Sequence, residues 1–165
     1  MDNCQVVVGE VTEIEVDAIA KLIPPSPFGK RKDSVDRQIW EIAGDWLQNQ
    51  VLERLPSTKD GETIVVEVGD KGHEARFDKV IYVYDQGRRK LSELVFTALK
   101  AAKEQGCQSL AFPVLWRGTG TLEQIADEMC TGVRCFTASF GTEMKVFLAI
   151  GNDPAAHVLM KKYNR

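Results

Sequence analysis

The residues best suited to chemistry in this chain form one loop, Trp116-Arg117-Gly118-Thr119-Gly120. It follows the short apolar run Ser109–Pro113 and precedes Thr121, a residue able to cap a helix. A strand, a glycine loop and a helix start in that order aim free backbone N–H groups and the positive end of a helix dipole at one point. That arrangement suits a phosphate. Ordinary turn glycines are the plainer reading of Gly118 and Gly120. Arg117 is either a solvated arginine or a bidentate phosphate ligand. Trp116 either stacks on a base or ribose or packs over the loop. After the last apolar run, Asn152 and Asp153 either contact a nucleoside or form an Asx turn before Pro154. His73 and His157 have no Ser or Cys partner suggested by spacing, so nucleophilic catalysis through them is not expected. Cys4, Cys107, Cys130 and Cys135 have neither zinc-type nor redox spacing. Neutral free thiols are expected, in a reducing cytoplasm, with no metal site.

The elements that must position these residues follow from periodicity. Gln5 to Val8 reads as a short strand, interrupted by Gly9-Glu10-Val11-Thr12. Val16 to Ile23 reads as a strand buried on both faces. Three prolines within Pro24-Pro25-Ser26-Pro27 exclude helix and central strand, and the basic triplet Lys30-Arg31-Lys32 follows. Asp33-Ser34 caps a helix whose apolar positions are Val35, Ile39, Ile42 and Ala43. Gly44 bends or ends it, and Trp46 to Leu55 continues the pattern until Pro56. Trp40 and Trp46 are expected at the core or its edge. Thr63 to Val68 and Lys79 to Tyr84 are β-branched or aromatic strands separated by a turn. Leu91 to Gln105 carries one apolar stripe, with Gly106 just past its end. Ser109–Pro113, a helix from Leu122 to about Phe136, a strand Met144 to Ile150 and a helix Ala155 to Lys162 complete the chain. The alternation in the second half implies right-handed crossovers and a sheet covered by helices on both faces. Ligands in such sheets sit at the carboxyl ends of the strands. The loops after Val8, Ile23, Pro113 and Ile150 are therefore expected to converge.

Composition narrows the class. The chain has 165 residues, enough for one domain with its own core, and no internal repeat or linker divides it. A net charge of −3 supplies no global basic field, so nucleic acid is not an expected partner. No apolar run approaches the ~20 residues that span a bilayer, and the N-terminus lacks the basic and apolar regions of a secretory signal. A cytoplasmic protein without membrane contact is expected.

In order and spacing, the motifs resemble those of the macro domain family over nearly the whole chain. Gly9-Glu10-Val11-Thr12 resembles its G-D-I-T turn, and Val16-Asp17-Ala18-Ile19 its V-D-A-I strand. Val35-Asp36 through Ile39 and Ala43-Gly44 resemble V-D-x-x-I-x-x-x-A-G. Gly61-Glu62-Thr63 resembles G-E-A. Ala98-Leu99 through Ala102, Gly106 and Ser109–Pro113 resemble the helix and strand before the family's phosphate loop. The resemblance implies a single α/β/α three-layer domain over 1–165, with a central mixed, mostly parallel sheet. It also implies binding of ADP-ribose or a related phosphorylated nucleotide. Site residues carried over are Glu10 at the adenine, Val11, Lys21, Asp36, Trp116, Arg117, Gly118, Thr119, Gly120 and Asn152. An ADP-ribosylated protein is a further candidate partner, and no cofactor is implied.

The chain departs from the family at the distal-ribose wall. Where the family has V-N-A-A-N, this chain has Ala20-Lys21-Leu22-Ile23-Pro24, so its two Asn positions hold Lys21 and Pro24. The glycine-rich loop before V-D is replaced by one glycine and Lys30-Arg31-Lys32. These cations are a solvated loop, a phosphate clamp or bulk filling the ribose pocket. Binding without efficient turnover is the expected function. Hydrolysis of ADP-ribose esters or ADP-ribosyl groups is one alternative. A pocket-less scaffold contacting protein or RNA through Lys30-Arg31-Lys32 and Arg88-Arg89-Lys90 is the other.

Overall fold

The structure is a computed structural model that describes residues 3–25, 27, 34–69, 75–115, 120–151, 154 and 158. Among the described residues, six strands form one sheet: β1 (Cys4–Val7), β2 (Ala18–Ile23), β3 (Thr63–Glu67), β4 (Lys79–Tyr84), β5 (Ser109–Pro113) and β6 (Lys145–Ala149). Their order is β1-β6-β5-β2-β4-β3. Every pair is parallel except β3 with β4, which is antiparallel. This is the three-layer α/β/α arrangement that the alternation implies.

Three long helices cover the sheet: α1 (Ser34–Arg54), α2 (Leu91–Glu104) and α3 (Leu122–Phe140). The period-2 alternation of the strands divides the core in two. Ala18, Ala20, Ile81, Val83, Leu110 and Phe112 face α2 and α3. Ile19, Ile23, Val80, Tyr82 and Ala111 face α1. Helices α2 and α3 pack so closely that a Cβ on Gly132 would lie 2.6 Å from the Ser92 carbonyl oxygen and 2.7 Å from Val95 Cβ. Only glycine permits that approach.

Several boundaries differ from the sequence reading. Val16 and Asp17 precede β2: the Val16 N–H bonds to the Arg76 carbonyl, and the Asp17 N–H bonds to the Ser109 hydroxyl. Helix α3 runs four residues past Phe136, because Phe140 continues an aromatic cluster with Phe96 and Phe136 before Gly141 ends the helix at φ +92°. Gly44, at φ +69° and ψ −164°, divides α1 into two helical pieces. Trp40 is exposed rather than core, and its indole N–H donates to Asp45 Oδ1 at 2.7 Å. Val11–Glu13 forms a 3-10 turn within what reads as a plain interruption. Of the expected terminal helix Ala155 to Lys162, Val158 is helical, as is Pro154 just before it, and the other residues lie outside the described ones.

Cys4, Cys107 and Cys130 are buried and Cys135 is exposed, all as free thiols. A hydrogen bond with Cys130 and burial push the Cys4 thiol far above its ordinary range; burial does the same, less strongly, to Cys107. Among the described residues, no helix is long and apolar enough to cross a membrane.

Candidate functional site

The five parallel strands present their carboxyl ends along one edge, in the order β1, β6, β5, β2, β4. Along this edge the connections leave in opposite directions. Strand β5 feeds α3, which returns to β6 on one side, while β2 feeds α1, which leads to β3 and β4 on the other. Such a reversal is where open α/β sheets form a ligand crevice. The register marks the β2–β5 seam as the candidate place. Strand β2 pairs with β4 along its full length, from Ala18 to Ile23, but with β5 only at Ala18 and Ile19. Beyond Ile19 the two strands part.

Lys21 lies where they part. It faces α1 with Ile19 and Ile23, and only 9% of it is exposed. Its Nζ donates to the Leu22 carbonyl at 3.2 Å, on the side from which β5 has withdrawn, and lies 3.6 Å from Asp36 Oδ2. Asp36, in the first turn of α1, is 7% exposed. A buried cation needs a nearby anion, since leaving either charge alone there costs several kcal/mol, about 3 or more. At Lys21, where the resembled family has asparagine, the chain holds a buried ion pair with Asp36.

At the other end of the edge, β1 and β6 are drawn together beyond their ladder. The Gly9 N–H donates to the Gly151 carbonyl at 3.0 Å, and the Gly151 N–H returns to the Gly9 carbonyl at 3.1 Å. Both glycines have positive φ, which lets the two chains turn away just after meeting. Glu10 follows immediately. It opens the 3-10 turn in extended conformation, and its side chain makes no capping bond to that turn. Instead Gln38 Nε2, from α1, donates to Glu10 Oε2 at 3.0 Å, and the Thr12 hydroxyl donates to Gln38 Oε1 at 2.8 Å. Val11 is packed in the core at 2% exposure, so it serves the turn as an anchor.

Between these ends lies the start of α3. Thr121 caps it as its type suggests. Its Oγ1 accepts from the Gln124 N–H at 3.1 Å, and Gln124 Oε1 accepts from the Thr121 N–H at 2.9 Å. Gly120 sits just before, exposed, at φ +86°. Trp116, Arg117, Gly118, Thr119 and Asn152 lie outside the described residues, as do Lys30-Arg31-Lys32, His73 and His157. The fold thus places Glu10, Val11, Lys21, Asp36 and Gly120 along one edge of the sheet. Gln38 and Thr12 are additions that spacing does not suggest. Gln38 lies between core positions Val35 and Ile39 and reads as a solvent-facing polar residue, and its partners are 26 and 28 positions away.

A groove of about 920 Å³ lies elsewhere, along the exposed edge of β3 between Trp46, Arg54 and Gln105. It contains none of the residues above, and Arg54 already donates to the Val65 carbonyl that this edge strand presents. Among the described residues, no cluster of three or more His, Cys, Asp or Glu could hold a metal ion.

No protein-family model matches the chain. An O-acetyl-ADP-ribose deacetylase of Enterobacter sp. (strain 638) is 30% identical over 121 residues, covering 69% of this chain and 66%, just under two thirds, of that protein. The enzyme of the same name from Klebsiella pneumoniae (strain 342) is 26% identical over 162 residues, covering 92% of this chain and 91% of that one. Among solved structures, the macro domain of ganglioside induced differentiation associated protein 2 superposes with a TM-score of 0.74 at 22% identity, over 95% of this chain and 81% of that one. A Trypanosoma brucei macrodomain, in complex with ADP-ribose, superposes with a TM-score of 0.72 at 19% identity, over 99% and 69%.

Proposed function

We propose that this chain, which has the macrodomain fold, is one such domain over residues 1–165 that binds ADP-ribose or a related phosphorylated nucleotide without efficient turnover. The observation that carries the binding reading is the Glu10 carboxylate, held ready at the junction of the β1 and β6 ends. One of its oxygens is engaged by Gln38, and the other remains to accept from the amine of a base. Strand β5, next along the edge, leads to the capped start of α3, where the diphosphate is expected to meet backbone N–H groups and Arg117. The distal ribose then falls toward β2.

Lys21 and Asp36 make that end unsuited to hydrolysis. A general base must be free to take a proton from a bound water. Among the described residues, the Asp36 carboxylate at this end is buried and lies 3.6 Å from Lys21 Nζ, so it is poorly placed to take that proton. Pro24 offers no side-chain donor or acceptor in place of the family's asparagine.

Titration calorimetry with ADP-ribose tests the reading: heat and a thermal shift at micromolar to millimolar ligand support it, and neither signal at millimolar ligand sinks it. The deacetylase relatives favour a second reading, hydrolysis of ADP-ribose esters. Turnover of O-acetyl-ADP-ribose or of an ADP-ribosylated protein, lost in a Gly118→Glu variant, would establish it.

A further inference from the structure

We propose that Gln38 is a positioning residue that turns Glu10 into a reader of the base's exocyclic amine, so that the chain selects adenine over hypoxanthine. The inference rests on the nucleotide-binding reading above.

The hydrogen-bond chain Thr12–Gln38–Glu10 has a forced direction. An ionised carboxylate only accepts, so the Gln38 amide must present its NH2 group to Glu10 Oε2, 3.0 Å away. Its carbonyl oxygen then faces Thr12, whose hydroxyl must donate, at 2.8 Å. The anchor is firm, because Thr12 is 8% exposed and its neighbour Val11 2%. The Glu10 side chain makes no bond to the turn it opens, so its orientation comes from α1 through Gln38. With Oε2 committed, Oε1 is an acceptor at the ligand edge. It suits the amine of adenine. Hypoxanthine carries a carbonyl oxygen at the same position, which would face the carboxylate with no proton between them.

Gln38 thus sits two residues from Asp36 on the same helix and serves the opposite end of the edge. Successive helical positions differ by about 100°, so residues two apart point in nearly opposite directions. Asp36 meets Lys21, and Gln38 meets Glu10.

The test is calorimetric affinity for ADP-ribose and for its hypoxanthine counterpart, measured on the wild type, Glu10→Gln, Gln38→Met and the double variant. The wild type is expected to prefer adenine by about tenfold, the value of one charge-assisted hydrogen bond. Glu10→Gln is expected to reverse the preference. Gln38 would still donate to the carbonyl oxygen at position 10 and leave an NH2 group facing the ligand. Gln38→Met keeps the side-chain length and removes the donor, and both variants carrying it are expected to bind the two bases alike. Thr12→Val, which releases the far end of the amide, should weaken the preference in the same sense and serves if Gln38→Met does not fold. Parallel losses for both ligands in Gln38→Met, with the base ratio intact, would reduce Gln38 to a structural residue and overturn the inference. A wild type that binds both bases equally would also overturn it while leaving nucleotide binding in place. A wild type that binds neither removes the nucleotide-binding reading and this one with it.

Discussion

The two ends of the carboxyl edge solve opposite problems with the same helix. At the β1–β6 end, Glu10 is half-buried and bonded on one oxygen, by a neutral amide. Its other oxygen has acceptor capacity to spare. At the β2 end, Asp36 is buried and its charge is balanced by Lys21. A carboxylate bonded to an amide can still recognise a ligand; one balanced by a buried ammonium holds the fold together. The difference supports the proposed reading, a domain that grips one end of a nucleotide without efficient turnover at the other.

The comparison breaks most visibly at Lys21. Lys21→Met removes the buried cation beside Asp36 and is expected to cost about 3 kcal/mol, which lowers Tm by roughly 10 °C in a chain of this size. Replacing both charges, as Lys21→Met with Asp36→Leu, should recover most of that loss, since a well-packed apolar pair is often as stable as a buried ion pair. Differential scanning calorimetry reads both. A Lys21→Met variant as stable as the wild type would mean that the pair does not secure this wall.

Glu10→Ala is expected to act on binding and not on the fold. Affinity for ADP-ribose should fall about tenfold or more, the value of a hydrogen bond to a charged group, with Tm unchanged within a few degrees. Calorimetric titration beside a melting curve separates the two effects. A large fall in Tm would make Glu10 a structural residue like Asp36 and dissolve the contrast.

Thr121→Ala lies between the ends and should have the smallest effect. Loss of the capping box costs about 1 kcal/mol, or roughly 2–4 °C in Tm. Because it loosens the start of α3, it should weaken ADP-ribose and ADP by the same factor and leave the base preference unchanged. Unequal weakening, read by the same titrations, would place the loop's role at one end of the ligand.

Much of the scaffold was legible because it is written in local periodicity. The stripe of Leu91, Leu94, Val95, Ala98, Leu99 and Ala102 can bury itself in only one way, and the structure buries all six. Thr121 was legible as a cap because a hydroxyl before an apolar run can satisfy the first free N–H groups of a helix. The end of the β2–β5 ladder after Ile19 was not legible, because register between strands 92 residues apart leaves no trace in either one's alternation. Nor was the partner of Lys21. The resemblance marked positions 21 and 36 as ligand-facing, and only their proximity in space reveals that they face each other. Gln38 failed for the same reason, since a polar residue on a helix face looks solvated until the turn it supports is placed beside it.

In the proposed reading, recognition lies at the Glu10 end and the diphosphate, with little from the distal ribose. Parallel titrations of the wild type with ADP-ribose and with ADP test it most directly. The account predicts that both bind, with affinities within about threefold, a difference of less than 1 kcal/mol. Undetectable ADP binding beside tight ADP-ribose binding would contradict it, by showing that the end with Lys21 and Asp36 is where the ligand is held.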